Sequence, residues 1–140
     1  MSTSVTVRHT FEAGHRLPHI PGKCQSLHGH TWHVAVTVTD PNSSDLIVQF
    51  GHLKGSLRQW IDDRLDHGLM LGEADPLREY LSEHGKVFTI SPWPSVEAVA
   101  MVIAEIARGT LASIEHAPGA YVSEVTVSET PVNDATWRAQ

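Results

Sequence analysis

Cys24-Gln25-Ser26-Leu27-His28-Gly29-His30-Thr31-Trp32 holds the chain's only cysteine and, four residues further on, a histidine pair split by one glycine. In an extended strand, residues two apart point to the same face. His28 and His30 therefore project together, and Gly29 between them lets another backbone or a ligand come close. Upstream, His15 stands in Phe11-Glu12-Ala13-Gly14-His15-Arg16-Leu17-Pro18. A structural zinc site closes its tetrahedron with four protein ligands, often thiolates, whereas a catalytic site keeps three and leaves one place open. Three imidazoles fit the second pattern, with Cys24 near a metal rather than on it. The plain alternative is a set of ordinary histidines, since the chain has ten.

The flanking residues say how these side chains are presented. Val5, Val7, Phe11, Ala13 and His15 fall on one parity; Thr6, Arg8, Thr10, Glu12 and Arg16 fall on the other. This alternation predicts a half-buried strand over residues 5–16 that delivers His15 to the apolar face. Residues 17–23 contain Pro18, Pro21 and Gly22 and read as a loop. A second strand is predicted over 28–39, where Trp32, Val34, Val36 and Val38 continue the parity of His28 and His30. All three candidate ligands thus lie on the buried side of their strands. Two antiparallel neighbours would bring them together at one end of a sheet. Asp40-Pro41-Asn42-Ser43-Ser44 reads as a turn.

Beyond the turn, Leu53, Leu57, Trp60, Ile61 and Leu65 trace one face of a helix over 53–65, which ends within residues 65–71. At that end Asp66 and His67 read as a capping pair. Residues 72–93 read as irregular, with a turn at Gly72-Glu73-Ala74-Asp75-Pro76 and a short strand or extended segment at Val87-Phe88-Thr89-Ile90. Pro94-Ser95-Val96-Glu97 opens a second helix. Ser95 suits the N-cap, and Glu97 lies in the first turn, where the helix dipole favours a carboxylate. Val96, Val99, Ile103, Ile106 and Leu111 form its core stripe. Residues 121–130 predict a third strand, with Val125, Val127 and Glu129 on one face, and a terminal segment around Trp137 a fourth. A carboxylate at the end of an apolar face costs energy unless it is paired or used in binding, so Glu129 reads as a ligand contact.

Length and charge bound the rest. At 140 residues the expectation is a single domain, 1–140. A net charge of −6 with no basic stripe argues against nucleic acid as a partner. No apolar stretch approaches membrane-spanning length, and Met1-Ser2-Thr3-Ser4-Val5 does not begin a signal peptide, so no membrane partner is expected. One cysteine cannot form an internal disulfide, so a reducing compartment is the simpler assumption and the expected location is cytoplasmic.

Taken in order, six segments resemble the 6-pyruvoyltetrahydropterin synthase / 6-carboxytetrahydropterin synthase family. They are Phe11 to Leu17, Cys24-x-x-x-His28-Gly29-His30, Phe50-x-x-Leu53-Lys54, Leu65-Asp66-His67, Pro94-Ser95-Val96-Glu97 and Val127-Ser128-Glu129-Thr130. The resemblance covers nearly the whole chain. It implies an α+β tunnelling fold, ββααββ, with a four-stranded antiparallel sheet and two helices on one face. It implies a homo-oligomer, a hexamer built as a dimer of trimers, with active sites between subunits. By position it implies His15, His28 and His30 as ligands of a Zn2+ cofactor. Cys24 would be the catalytic cysteine, with Asp66 and His67 working beside it. Glu129 would anchor the pterin ring of a small-molecule substrate, with Ser95, Glu97 and Lys54 as further substrate contacts.

The spacing also selects a branch. Three residues separate Cys24 from His28, and Thr31-Trp32 follows the pair; this is similar to the 6-carboxytetrahydropterin synthase branch, which serves 7-deazaguanine (queuosine-type) biosynthesis. The implied reaction is that of a carbon–oxygen lyase. It converts 7,8-dihydroneopterin triphosphate to 6-carboxytetrahydropterin, acetaldehyde and triphosphate. The alternatives are the pyruvoyl-forming elimination and a non-catalytic pterin-binding homologue. The chain departs from the family pattern at Gln49, where an aspartate is usual, and at Ala98, where an asparagine is usual.

Overall fold

Alternation over the first forty residues produces one long hairpin-like pair. In the computed structural model, which describes residues 1–140, β1 (Thr3–His15) runs antiparallel to β2 (His28–Asp40). The register sets Phe11 opposite Trp32, Ala13 opposite His30 and His15 opposite His28. Apolar residues of both strands face the core, where Phe11 and Trp32 stack at 5.9 Å. Hydroxyls line the outer face, paired as Ser4–Thr39 and Thr6–Thr37. The Asp40 carboxylate closes the expected turn by accepting from the backbone N–H groups of Asn42 and Ser44.

The next helix, α1 (Phe50–Arg64), starts three residues earlier than its apolar stripe predicts and buries Leu53, Leu57 and Ile61. It stops where His67 takes a left-handed backbone, φ 60°. The chain then forms β3 (Gly68–Gly72), a six-residue α2 (Leu77–Ser82) and β4 (Val87–Ile90). α3 (Val96–Ser113) begins as expected, with Ser95 Oγ accepting from the Ala98 N–H at 3.1 Å. β5 (Tyr121–Thr130) and β6 (Asn133–Arg138) complete the chain.

The expected four-stranded antiparallel sheet with two helices is corrected here. The sheet has six strands in the order β4-β3-β1-β2-β5-β6 and is mixed, and there are three helices. β1, β2, β5 and β6 pair antiparallel, while β3 lies parallel to β1 and β4 parallel to β3. Residues read as a helix end supply β3, the irregular stretch supplies α2, and β4 falls on the segment read as a short strand or extended segment. Met70, Leu71 and Gly72 of β3 are all buried, so the strand offers no alternation to read. The core of 26 buried residues lies between one sheet face and α1 and α3. No helix is long and apolar enough to cross a membrane.

Candidate metal centre

Pairing register decides what the strand ends present. His15 closes β1 and His28 opens β2 directly opposite it, while His30 follows two residues on, on the same face. The three rings meet, with centroids at 4.6 Å (His15–His28), 4.8 Å (His28–His30) and 5.3 Å (His15–His30). One ligating nitrogen from each lies within 4.8 Å of the others. Trp32 forms the floor, edge-on to His15 at 4.9 Å and to His30 at 5.5 Å, with its Nε1–H donating to the Ala13 carbonyl at 3.0 Å.

Backbone carbonyls fix which nitrogen faces inward. His15 Nδ1 lies 2.7 Å from the Pro94 carbonyl oxygen, and His28 Nδ1 lies 2.6 Å from that of Ser26. A carbonyl only accepts, so both Nδ1 atoms carry a proton and each Nε2 is the nitrogen turned away from the backbone. Such outer hydrogen bonds orient imidazoles that bind metals. His15 Nε2 is buried and has no hydrogen-bond partner. Burial pushes the His15 pKa down from 6.5 to about 4; the Pro94 contact opposes this, and nearby His28 and His30 add to it. Burial lowers His30 as well, against the pull of Glu129. An unpartnered buried acceptor beside two further imidazoles is a donor set that fits a divalent cation of the borderline, nitrogen-preferring kind.

Glu129 stands at this centre. Its Oε2 lies 3.6 Å from His15 Nε2 and 4.0 Å from His30 Nε2. With His15 held neutral by burial, this is a polar approach rather than an ion pair.

The other expected residues are distributed around it. Cys24 is a half-buried free thiol on a single 3-10 turn, Lys23–Gln25, outside the histidine cluster. Its carbonyl accepts from the Leu17 N–H at 2.6 Å, which ties that turn to the chain two residues beyond His15. Asp66 and His67 do pair, with Nδ1–H donating to Oδ2 at 2.7 Å. The other oxygen of Asp66 accepts the Glu12 N–H at 2.8 Å, and this contact is the main reason its pKa lies below the ordinary value. His67 and His30 line one shallow cavity of about 410 Å³ with Glu12 and Thr31, so His67 shares a cavity with one ring of the cluster. Ser95 and Glu97 line a groove of about 680 Å³ with His19 and Trp93, whose rings stack at 4.6 Å. The Ser95 hydroxyl already caps α3. Lys54 lines a separate cavity of about 620 Å³ with Arg8 and His33, one that includes none of the three clustered histidines.

Sequence reading missed one pair that holds the site. Arg16, the residue after His15, donates from Nε to Asp75 Oδ2 at 2.8 Å and from its terminal amine to Oδ1. Asp75 is buried, its Oδ1 also accepts the Leu77 N–H at 2.9 Å, and the Arg16 contact holds its carboxyl below the ordinary range. The available signal was Asp75-Pro76, since an acid before proline is a helix-start pattern.

Comparison with known proteins follows the same lines. The sequence model of the family described as 6-pyruvoyl tetrahydropterin synthase matches residues 4–140. The chain is 34% identical over 101 residues to a 6-carboxy-5,6,7,8-tetrahydropterin synthase of Rickettsia bellii, covering 69% of this chain and 73% of that one. It is 26% identical over 163 aligned positions to the protein of that name in Aquifex aeolicus, covering 100% of each. An uncharacterized protein of Wolinella succinogenes superposes with a TM-score of 0.80 at 19% identity, over 100% of this chain and 99% of that one. The Caenorhabditis elegans 6-pyruvoyl tetrahydropterin synthase superposes at 0.69 and 22% identity, over 100% and 97%. At these identities the two structures establish likeness of fold alone.

Proposed function

The chain belongs to the 6-pyruvoyl tetrahydropterin synthase family and is a lyase, and from that premise we propose that it is a metal-dependent 6-carboxytetrahydropterin synthase. Its substrate is 7,8-dihydroneopterin triphosphate, which with water yields 6-carboxytetrahydropterin, acetaldehyde and triphosphate. The observation that carries this is the buried His15 Nε2, unpartnered and turned toward two further imidazoles. The ions that suit this donor set include Zn2+, and the relatives named for this activity support the branch. A bound divalent cation would supply Lewis acidity toward the hydroxyls of the substrate side chain.

The chain's own residues supply the rest. Cys24 moves the proton on the side-chain carbon as a thiolate, the only thiol available. His67, with Nδ1–H held by Asp66, keeps Nε2 for a second proton transfer. Glu129, whose carboxylate lies within 4.0 Å of two of the imidazole nitrogens, anchors the pterin ring by accepting from its guanidine-like edge, much as a carboxylate accepts from arginine. Glu97, three residues past the Pro94 that holds His15, is a further substrate contact from the groove it lines. Ser95 and Lys54 are weaker contacts in this reading. The chain acts as one domain, works as a cytoplasmic homo-hexamer and feeds 7-deazaguanine synthesis.

The test is mass spectrometry of the product from zinc-loaded protein and dihydroneopterin triphosphate, with acetaldehyde assayed alongside. A 6-carboxytetrahydropterin with acetaldehyde is expected. A 6-pyruvoyl product would keep the site and overturn the branch, and absence of turnover with zinc bound would overturn the activity.

A further inference from the structure

His15 is the most enclosed of the three imidazoles, and a single hydrogen bond, Nδ1–H to the Pro94 carbonyl at 2.7 Å, turns its ring. That carbonyl belongs to the link between β4 and α3, residues 91–95, which has no regular structure of its own. Trp93 holds the link. Its indole lies against the bare α-carbon of Gly72, the last residue of β3. A methyl group built on Gly72 would stand 2.8 Å from Trp93 Cζ3, nearer still to Cε3, and 2.7 Å from the Pro92 carbonyl oxygen. Real side-chain carbons do not approach that closely. Gly72 is not among the residues with a left-handed backbone, so glycine is required there for space and not for torsion. The Gly72 carbonyl also accepts the Asp75 N–H at 3.1 Å, and Asp75 grips Arg16. One tight turn therefore reaches the metal-ligand segment twice, through Arg16 beside His15 and through Pro94 beneath it.

We infer that Gly72 and Trp93 are positioning residues for His15: the indole seated on the bare α-carbon sets the Pro94 carbonyl, and through it the tautomer and aim of His15 Nε2. This rests on the reading of the histidine cluster as a metal centre. Neither residue needs to touch metal or substrate. Sheet pairing fixes the His15 backbone at Met70, so the ring's aim is what the indole contact adds.

The test uses Gly72→Ala and Trp93→Ala in the full chain, with three readouts. The first is the downfield imidazole N–H resonance of His15 in 15N-labelled, metal-free protein, which reports the Nδ1–H bond to Pro94. The second is zinc affinity by competition with a chromogenic chelator. The third is the melting temperature of the metal-free form. Both variants are expected to lose or shift the His15 resonance and to bind zinc 10- to 100-fold more weakly, the usual cost of losing an outer hydrogen bond to a ligand. A merely structural role would lower the melting temperature and leave the other two readouts at wild-type values, and that result overturns the inference. Should Gly72→Ala not fold, Trp93→Ala decides alone, since it removes the ring without crowding the turn. If wild-type protein binds no zinc, the metal reading fails instead, and the resonance still decides whether Gly72 and Trp93 aim the ring.

Discussion

His15 shows what burial does to a titratable ring. In the metal-free protein the unfolded chain takes up a proton at the ordinary 6.5, whereas the folded chain holds off to about 4. Below the unfolded value the unfolded state binds more protons, so stability falls as pH falls. The expected loss is about 2 kcal/mol between pH 7 and pH 5. Urea denaturation of chelator-treated protein at those two pH values measures it, and His15→Asn should flatten that part of the slope. An equal midpoint at both pH values in wild type would mean the ring is not buried neutral. Cys24 tests the division of labour at the same scale. Cys24→Ala is expected to bind zinc as wild type does, because the thiol lies outside the histidine cluster, and to lose nearly all turnover. Unchanged turnover would remove Cys24 from the chemistry. Parity alone made His15, His28 and His30 legible. The partners that orient them were not, because Pro94 lies 79 residues from His15 in sequence and only tertiary packing brings it there.

At the scale of elements, the sequence was informative where a pattern repeats and silent where it does not. β1, β2 and β5 alternate, and α3 carries both its cap and its stripe, so these were readable. β3 is five residues long, with its last three buried, and α2 is six residues long with no buried residue, so neither offers a period to detect. Yet this stretch anchors the site. The prediction that belongs here is Asp75→Asn. It leaves Arg16, whose side chain is 18% exposed, facing a neutral amide. The expected cost is about 3 kcal/mol, or a fall of roughly 10 °C in melting temperature, with weaker zinc binding because the anchor beside His15 loosens. A melting temperature within a degree or two of wild type would mean that the pair contributes nothing. Calorimetry with a zinc titration reads both effects.

Across the whole molecule, the core of 26 buried hydrophobic residues meets the histidine cluster at Trp32 but is built mostly from residues that take no part in it. Chelation should therefore abolish activity and leave the far-ultraviolet circular dichroism unchanged, in contrast to a domain folded by its zinc. Collapse of the spectrum on chelation would make the site structural. The sheet ends in two unpaired edges, β4 and β6, and its outer face carries hydroxyls paired across the strands. Open edges of this kind are ordinarily covered or closed on themselves. Light scattering after size exclusion is expected to give a mass several times the 15.4 kDa of one chain. A monomer that still turns over substrate would refute assembly as a requirement. Nothing in one sequence counts such copies; the hexamer is what the family resemblance implies.

The pairing of His15 with His28 across two strands has a consequence for how this chain can drift. A single inserted or deleted residue within either strand would flip every side chain beyond it to the opposite face and scatter the ligands. The connecting segment, residues 16–27, has no strand pairing to keep, but Arg16, Leu17, Cys24 and Ser26 each carry a contact at the site. Lengths should therefore diverge between Leu17 and Cys24 among descendants of this chain, while the interval from His28 to His30 stays frozen at two.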